Sequence, residues 1–163
     1  RGMSENSALV KGVNRAWDAG LVVVVAAGNN GPRTMSITTP GISRKVITVG
    51  CSDDDREVLV GGNRMVDYSG RGPTAACICK PDLVAPGCSV VSCSSRADKY
   101  TIKSGTSMST PIVSGAVALL LERFPDMTNK DVKLRLRESS VDIGLPRNQQ
   151  GWGLLDVGKM IGK

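Results

Sequence analysis

Histidine is absent from all 163 residues. No imidazole of this chain can therefore act as a general base, and the commonest ligand of protein-bound zinc is missing too. Five cysteines stand at 51, 77, 79, 88 and 93, but Cys77-Ile78-Cys79 lacks the two-residue gap of a zinc knuckle, so no zinc site is expected. Their odd number leaves at least one thiol without an intrachain partner, which favours a reducing compartment, while a bridge such as Cys88 to Cys93 stays open. Aromatic residues number only five, too few for a platform on which nucleic-acid bases would stack. No window approaches the 18 apolar residues of a membrane-spanning helix. Arg1-Gly2-Met3-Ser4-Glu5 has no apolar stretch of the signal-peptide kind, and for an internal piece of a longer protein that absence says nothing about secretion. The compartment is left open.

What is present describes one globular domain whose nineteen glycines imply many tight turns around a core of Val, Ala, Leu and Ile. The net charge of +6 is dispersed. Its densest cluster, Lys130 to Arg137, alternates with apolar positions at helical spacing and reads as a solvated helix face, so neither nucleic acid nor membrane is an expected partner.

Taken in order, Ser4 to Ser7 opens a helix to Ala19 with Leu9, Val13, Ala16 and Trp17 on one face, and Gly20 stops it. Leu21–Ala27 is a β-branched run that suits a strand buried on both faces of a parallel sheet. Gly28-Asn29-Asn30-Gly31-Pro32 then breaks the strand, at the kind of strand end where α/β proteins keep their sites. Lys45–Cys51 is a second buried strand, ended by the acidic turn Ser52-Asp53-Asp54-Asp55, which reads as solvated. A hairpin at Gly61-Gly62-Asn63, an exposed loop at Ala75–Cys79, a short strand at Ser89–Ser92 and a loop from Ser94 to Lys103 follow. Thr128 and Asp131 begin a late amphipathic helix with Val132, Leu134 and Leu136.

Between these lies Ser104-Gly105-Thr106-Ser107-Met108-Ser109-Thr110-Pro111, running into Ile112–Leu121 without a charge. A helix apolar on all sides should be buried, with Thr106 or a neighbour as its cap and Pro111 in its first turn. Ser107 at such an N-terminus is either one more capping serine or a nucleophile placed where the helix dipole favours an oxyanion.

The string Gly-Thr-Ser-Met-Ser-Thr-Pro resembles the nucleophile motif of the subtilisin-like serine proteases, the subtilases, with Ser107 at the nucleophile position. Val-Val-Ala-Ala-Gly-Asn-Asn-Gly resembles their oxyanion segment, with Asn29 as the side-chain donor. The resemblance also implies a specificity pocket walled by Ala26, Ala27 and Gly28, with Asn30 near its base, Pro40-Gly41 on its far side and Thr39-Pro40 a candidate cis peptide. A neutral Asn30 suggests a preference for apolar or uncharged side chains. Val66–Pro73 and Lys80–Gly87 resemble scaffolding segments of the same family, and Gly151–Val157 its C-terminus. Many subtilases bind calcium, yet no ligand set is evident here, so no cofactor is expected.

The resemblance implies an α/β fold, a three-layer parallel-sheet sandwich of subtilisin type, present only as its C-terminal half. Residues 1–163 would form one incomplete domain, and the aspartate and histidine of the triad would belong to an N-terminal half not contained in this chain. The partners implied are a peptide or protein substrate, that missing half, and a second copy through the exposed sheet edge. The chain alone should be inactive. The alternative is a non-catalytic scaffold of the same fold that binds peptides or regulates.

Overall fold

The computed structural model describes residues 5–96 and 99–162. The predicted helix start at Ser4, and residues 97 and 98 of the predicted return loop, lie outside the described residues. Helix α1 (Ala8–Asp18) is capped by Ser7, whose Oγ accepts the Val10 N–H at 3.3 Å. Its buried residues are Val10 and Trp17, while Leu9, expected on the inner face, is 54% exposed. The buried stripe is turned by one position because Val10 docks on Ala27, Ile37 and Ile42 while Trp17 enters the main core.

Strand β1 (Val24–Ala26) follows, then β2 (Ile47–Cys51) and the hairpin of β3 (Val58–Val60) with β4 (Asn63–Met65). Gly61 and Gly62 have φ of +58° and +89°, as a two-residue hairpin turn requires. Next come β5 (Leu83–Ala85), β6 (Val90–Cys93) and β7 (Tyr100–Lys103). β7 replaces much of the predicted return loop, pairing antiparallel with β6 in the register Val91↔Ile102. Alternation of Tyr, Thr, Ile and Lys was too short a pattern to mark it in the sequence.

The central sheet is parallel, in the order β1-β2-β5, with Val24 opposite Ile47 and Val49 opposite Leu83. All five residues of β2 are buried, but those of β1 are only half-buried. The expected two-sided burial of the first strand fails because β1 is an edge: among the described residues no strand pairs with its outer side.

Helix α2 (Thr106–Arg123) packs across all three strands and buries Thr106, Ser109, Val113, Ala116, Val117 and Leu120. Its other face, with Ser107, Pro111, Ser114, Gly115, Ala118 and Leu119, is exposed. The expectation of burial on every side is thus corrected: the helix is apolar all round, but this chain covers one face. Pro111 stands in the second turn, not the first, leaving the Ser107 carbonyl without its i+4 donor.

Helix α3 (Asn129–Ser139) has a complete capping box between Thr128 and Asp131 and buries Val132 and Leu136, whereas Leu134 is exposed. Its basic face is not simply solvated: Lys133 and Arg135 turn inward, Arg135 Nε donating to Met160 O at 2.8 Å. Short helices α4 (Arg147–Gln150) and α5 (Val157–Ile161) close the chain, and Met160 joins Leu83, Val113, Leu120 and Leu136 in the principal core.

Candidate active site

The loop after β1 is held from two sides. Ala27 N donates to Val49 O at 2.8 Å, and Ala27 O accepts Thr38 N at 2.9 Å. Across from Thr38, Gly70 N donates to Gly28 O at 2.8 Å and Gly31 N to Tyr68 O at 2.9 Å, so the 68–70 segment has the scaffolding part expected of it. Gly28 has φ +95°, and a Cβ there would fall 2.3 Å from Thr38 Oγ1; no other residue fits. Ala26 and Gly41 are in contact, since a Cβ on Gly41 would meet Ala26 O at 2.9 Å, and the Thr39-Pro40 peptide is cis. Ala26, Ala27, Gly28 and the Pro40-Gly41 turn are thereby brought together, while Asn30 stands exposed beyond them.

Ser107 is the second residue of α2 and is exposed. Of the expected cap positions, Thr106 or a neighbour, the helix uses the neighbour Gly105, which has φ +140° and offers no side-chain cap. Thr106 is fully buried and faces Asn29: its N–H and its hydroxyl both donate to Asn29 Oδ1, each at 3.0 Å. Its hydroxyl oxygen also accepts the Gly28 N–H at 3.2 Å. A backbone N–H can only donate, so the Asn29 atom facing it must be oxygen, and the amide orientation follows. Nδ2 is then left for another acceptor, next to Gly105, whose Cβ would lie 3.3 Å from it. Two uncapped features, the first turn of α2 and the Asn29 amide, converge on one place beside Ser107 that suits negative charge. The contact of Thr106 with Asn29 is what the sequence reading missed; the available signal was a hydroxyl immediately before the serine.

The start of α2 rests on the Pro86-Gly87 turn. Gly105 N donates to Gly87 O at 2.9 Å, and a Cβ on Gly87 would strike Ser109 Oγ at 2.2 Å. That turn is fixed by Asp53, whose Oδ1 accepts Gly87 N at 2.7 Å and Cys88 N at 3.1 Å. Asp54 is buried and accepts Ser69 N at 2.7 Å, its pKa raised chiefly by burial. The acidic turn, expected to be solvated, instead clasps both segments that carry the site. Cys51 beside it is no rival nucleophile: it is fully buried, and desolvation pushes its thiol up to about 12. All five cysteines are free, Cys88 and Cys93 included.

A groove of about 520 Å³ lined by Leu59, Arg64, Ile102, Lys103 and Ser104 opens next to the serine motif. Among the described residues no group of three His, Cys, Asp or Glu could hold a metal ion, and no helix is long and apolar enough to cross a membrane.

The family model described as Subtilase family matches residues 2–153. Serine protease AprX of Bacillus subtilis (strain 168) is 43% identical over 145 residues, 81% of this chain and 33% of that protein. Subtilisin DY of Bacillus licheniformis is 34% identical over 158 residues, 96% of this chain and 52% of that protein. Among solved structures, the prenylagaramide maturation protease PagA superposes with a TM-score of 0.71 at 23% identity, over 93% of this chain and 53% of its own. The self-cleaved protease domain of PatA gives a TM-score of 0.72 at 25% identity, over 97% of this chain and 55% of its own. The chain spans between a third and about half of the length of these proteins.

Proposed function

Because the chain belongs to the subtilase family and has the α/β fold of the subtilisin-like serine proteases, we propose that it is the C-terminal half of a serine endopeptidase's catalytic domain. Ser107 Oγ attacks the scissile carbonyl to give an acyl-enzyme, and Asn29 Nδ2 with the Ser107 N–H holds the oxyanion. Ala26, Ala27, Gly28 and Asn30 border the pocket for the side chain before the scissile bond. The histidine that takes the Ser107 proton, and the carboxylate that orients it, come from a preceding segment.

The observation that carries this reading is the double anchoring of Asn29 Oδ1 by Thr106 N and Oγ1, which frees Nδ2 beside the nucleophile. A peptide-binding scaffold has no need of an amide so fixed. The open outer side of β1 and the exposed apolar face of α2 support the preceding half as a partner, since both are surfaces that a complete domain would cover. Without a general base Ser107 keeps an ordinary hydroxyl, and loss of a triad histidine lowers kcat on the order of 10⁶-fold.

The test is labelling with a fluorophosphonate probe. A polypeptide containing the preceding half should be labelled at Ser107, Ser107→Ala should remove the label, and this chain alone should be nearly inert. Strong labelling of this chain by itself overturns the assignment of the base to another segment; an unreactive longer polypeptide overturns the protease reading.

A further inference from the structure

The groove beside the serine motif runs between two strand pairs, β3–β4 and β6–β7, and both turn apolar side chains to solvent. In β6 and β7, Val91 stands opposite Ile102 and Cys93 opposite Tyr100, so the two-residue period of strands puts all four on one face. Val91, Tyr100 and Ile102 of that face, and Leu59 of β3, are between 62% and 75% exposed. Val90 and Thr101, on the opposite face, are half-buried. A strand pair lying on a protein body normally turns its polar side outward; this one turns its apolar side.

Charge in the groove is uneven as well. Arg64 and Lys103 line it against a single carboxylate, Glu57, which Arg64 holds at 3.0 Å. Among the described residues Lys103 has no ion-pair partner, so one positive charge is left over. Ser104, the first residue of the serine motif, also lines the groove and accepts the Ser89 N–H at 2.9 Å.

The place of the groove relative to Ser107 identifies what enters it. A Cβ on Gly105 would lie 3.3 Å from Asn29 Nδ2 and 3.6 Å from Val60 Cγ1. Gly105 thus separates Asn29, just past β1, from Val60, the last residue of β3. The pocket bordered by Ala26, Ala27 and Gly28 lies on the Asn29 side, and the groove on the Val60 side. A peptide with its carbonyl oxygen at Asn29 Nδ2 and its preceding side chain in that pocket therefore sends the residues after the scissile bond into the groove. Tyr100 stands two residues along β7 from Ile102, about 7 Å, so contact extends past the first of those residues.

Resting on the protease reading, we propose that this surface docks the leaving side of a protein substrate, an extended segment with apolar and acidic side chains. The apolar ones cover Leu59, Ile102 and Tyr100, and an acidic one pairs with Lys103. Complementary charge at an exposed site acts on selection and encounter, and salt screens it.

The test compares three substrates of a polypeptide that includes the preceding half. All share the residues before the scissile bond. One leaves as a small chromogenic amine, one as a peptide with Asp and Leu, and one as the same peptide with Lys for Asp. At low salt kcat/KM for the Asp peptide should exceed that for the Lys peptide about fivefold, and the ratio should fall toward one as sodium chloride is raised. Lys103→Glu should invert the ratio, which loss of a merely structural lysine would not do. Leu59→Ser with Ile102→Ser, both at exposed positions, should lower kcat/KM for the two peptides relative to the chromogenic substrate. Equal rates for the two peptides, or a ratio that Lys103→Glu leaves unchanged, overturns the proposal, and a groove covered by the preceding half or by a second copy would give that result. Cleavage of none of the three, the chromogenic substrate included, overturns the protease reading itself.

Discussion

At Asn29 the side-chain carbonyl is committed to Thr106, and that commitment is what makes the other end of the amide available. Position in the loop cannot do this alone, because an amide free to rotate would present oxygen as readily as nitrogen to a developing oxyanion. Thr106 is in this sense a positioning residue, with its hydroxyl shared between Asn29 Oδ1 and the Gly28 N–H. Thr106→Val keeps the size and the backbone donor but removes that hydroxyl and leaves the Gly28 N–H without its acceptor. If Asn29 holds the oxyanion as proposed, kcat of a polypeptide that includes the preceding half should fall about tenfold, the worth of one such hydrogen bond. KM should change little, and Thr106→Ser should restore most of the rate. A rise in KM with kcat unchanged would place Thr106 in substrate binding instead.

Helix α2 carries an apolar sequence on both faces, yet the three strands cover only one of them. Leu120 is fully buried and Leu119, its neighbour, is 49% exposed. Leu120→Ala should destabilise this chain by about 2–5 kcal/mol, through lost burial and the cavity left behind. Leu119→Gln should change it by less than about 0.5 kcal/mol, as surface substitutions do. In a polypeptide that includes the preceding half, the same Leu119→Gln should cost about 1.5–3 kcal/mol if that half covers the exposed face. Urea denaturation of both variants in both lengths checks the pair, and equal costs for Leu119→Gln in the two lengths would show that the face stays open.

At the scale of the whole molecule, a parallel edge at β1 that is unpaired among the described residues, beside an apolar helix face, is a surface that invites association. Sedimentation velocity of this chain alone should show species larger than a monomer that grow with concentration, and adding the preceding half should suppress them. A single monomeric boundary throughout would mean that neither surface is sticky enough to matter. The periodicity and turns along the chain foretold the helix before β1, the Gly61-Gly62 hairpin and the capping box at Thr128, because each rests on contacts a few residues apart, and the apolar run ending at Cys51 marked β2 as buried. The serine motif and the Gly-Asn-Asn-Gly loop were equally legible as strings. Burial elsewhere was not: Leu9 and Leu134 read as inner residues and lie outside, and Asp53 and Asp54 read as solvated and hold the candidate site together. The sequence alone thus determined which residue types stand ready, a serine at a helix start and an amide at a strand end. Only the tertiary structure decided which atom of Asn29 faces Thr106 and which face of α2 is covered, for these depend on partners tens of residues apart, which local periodicity does not encode.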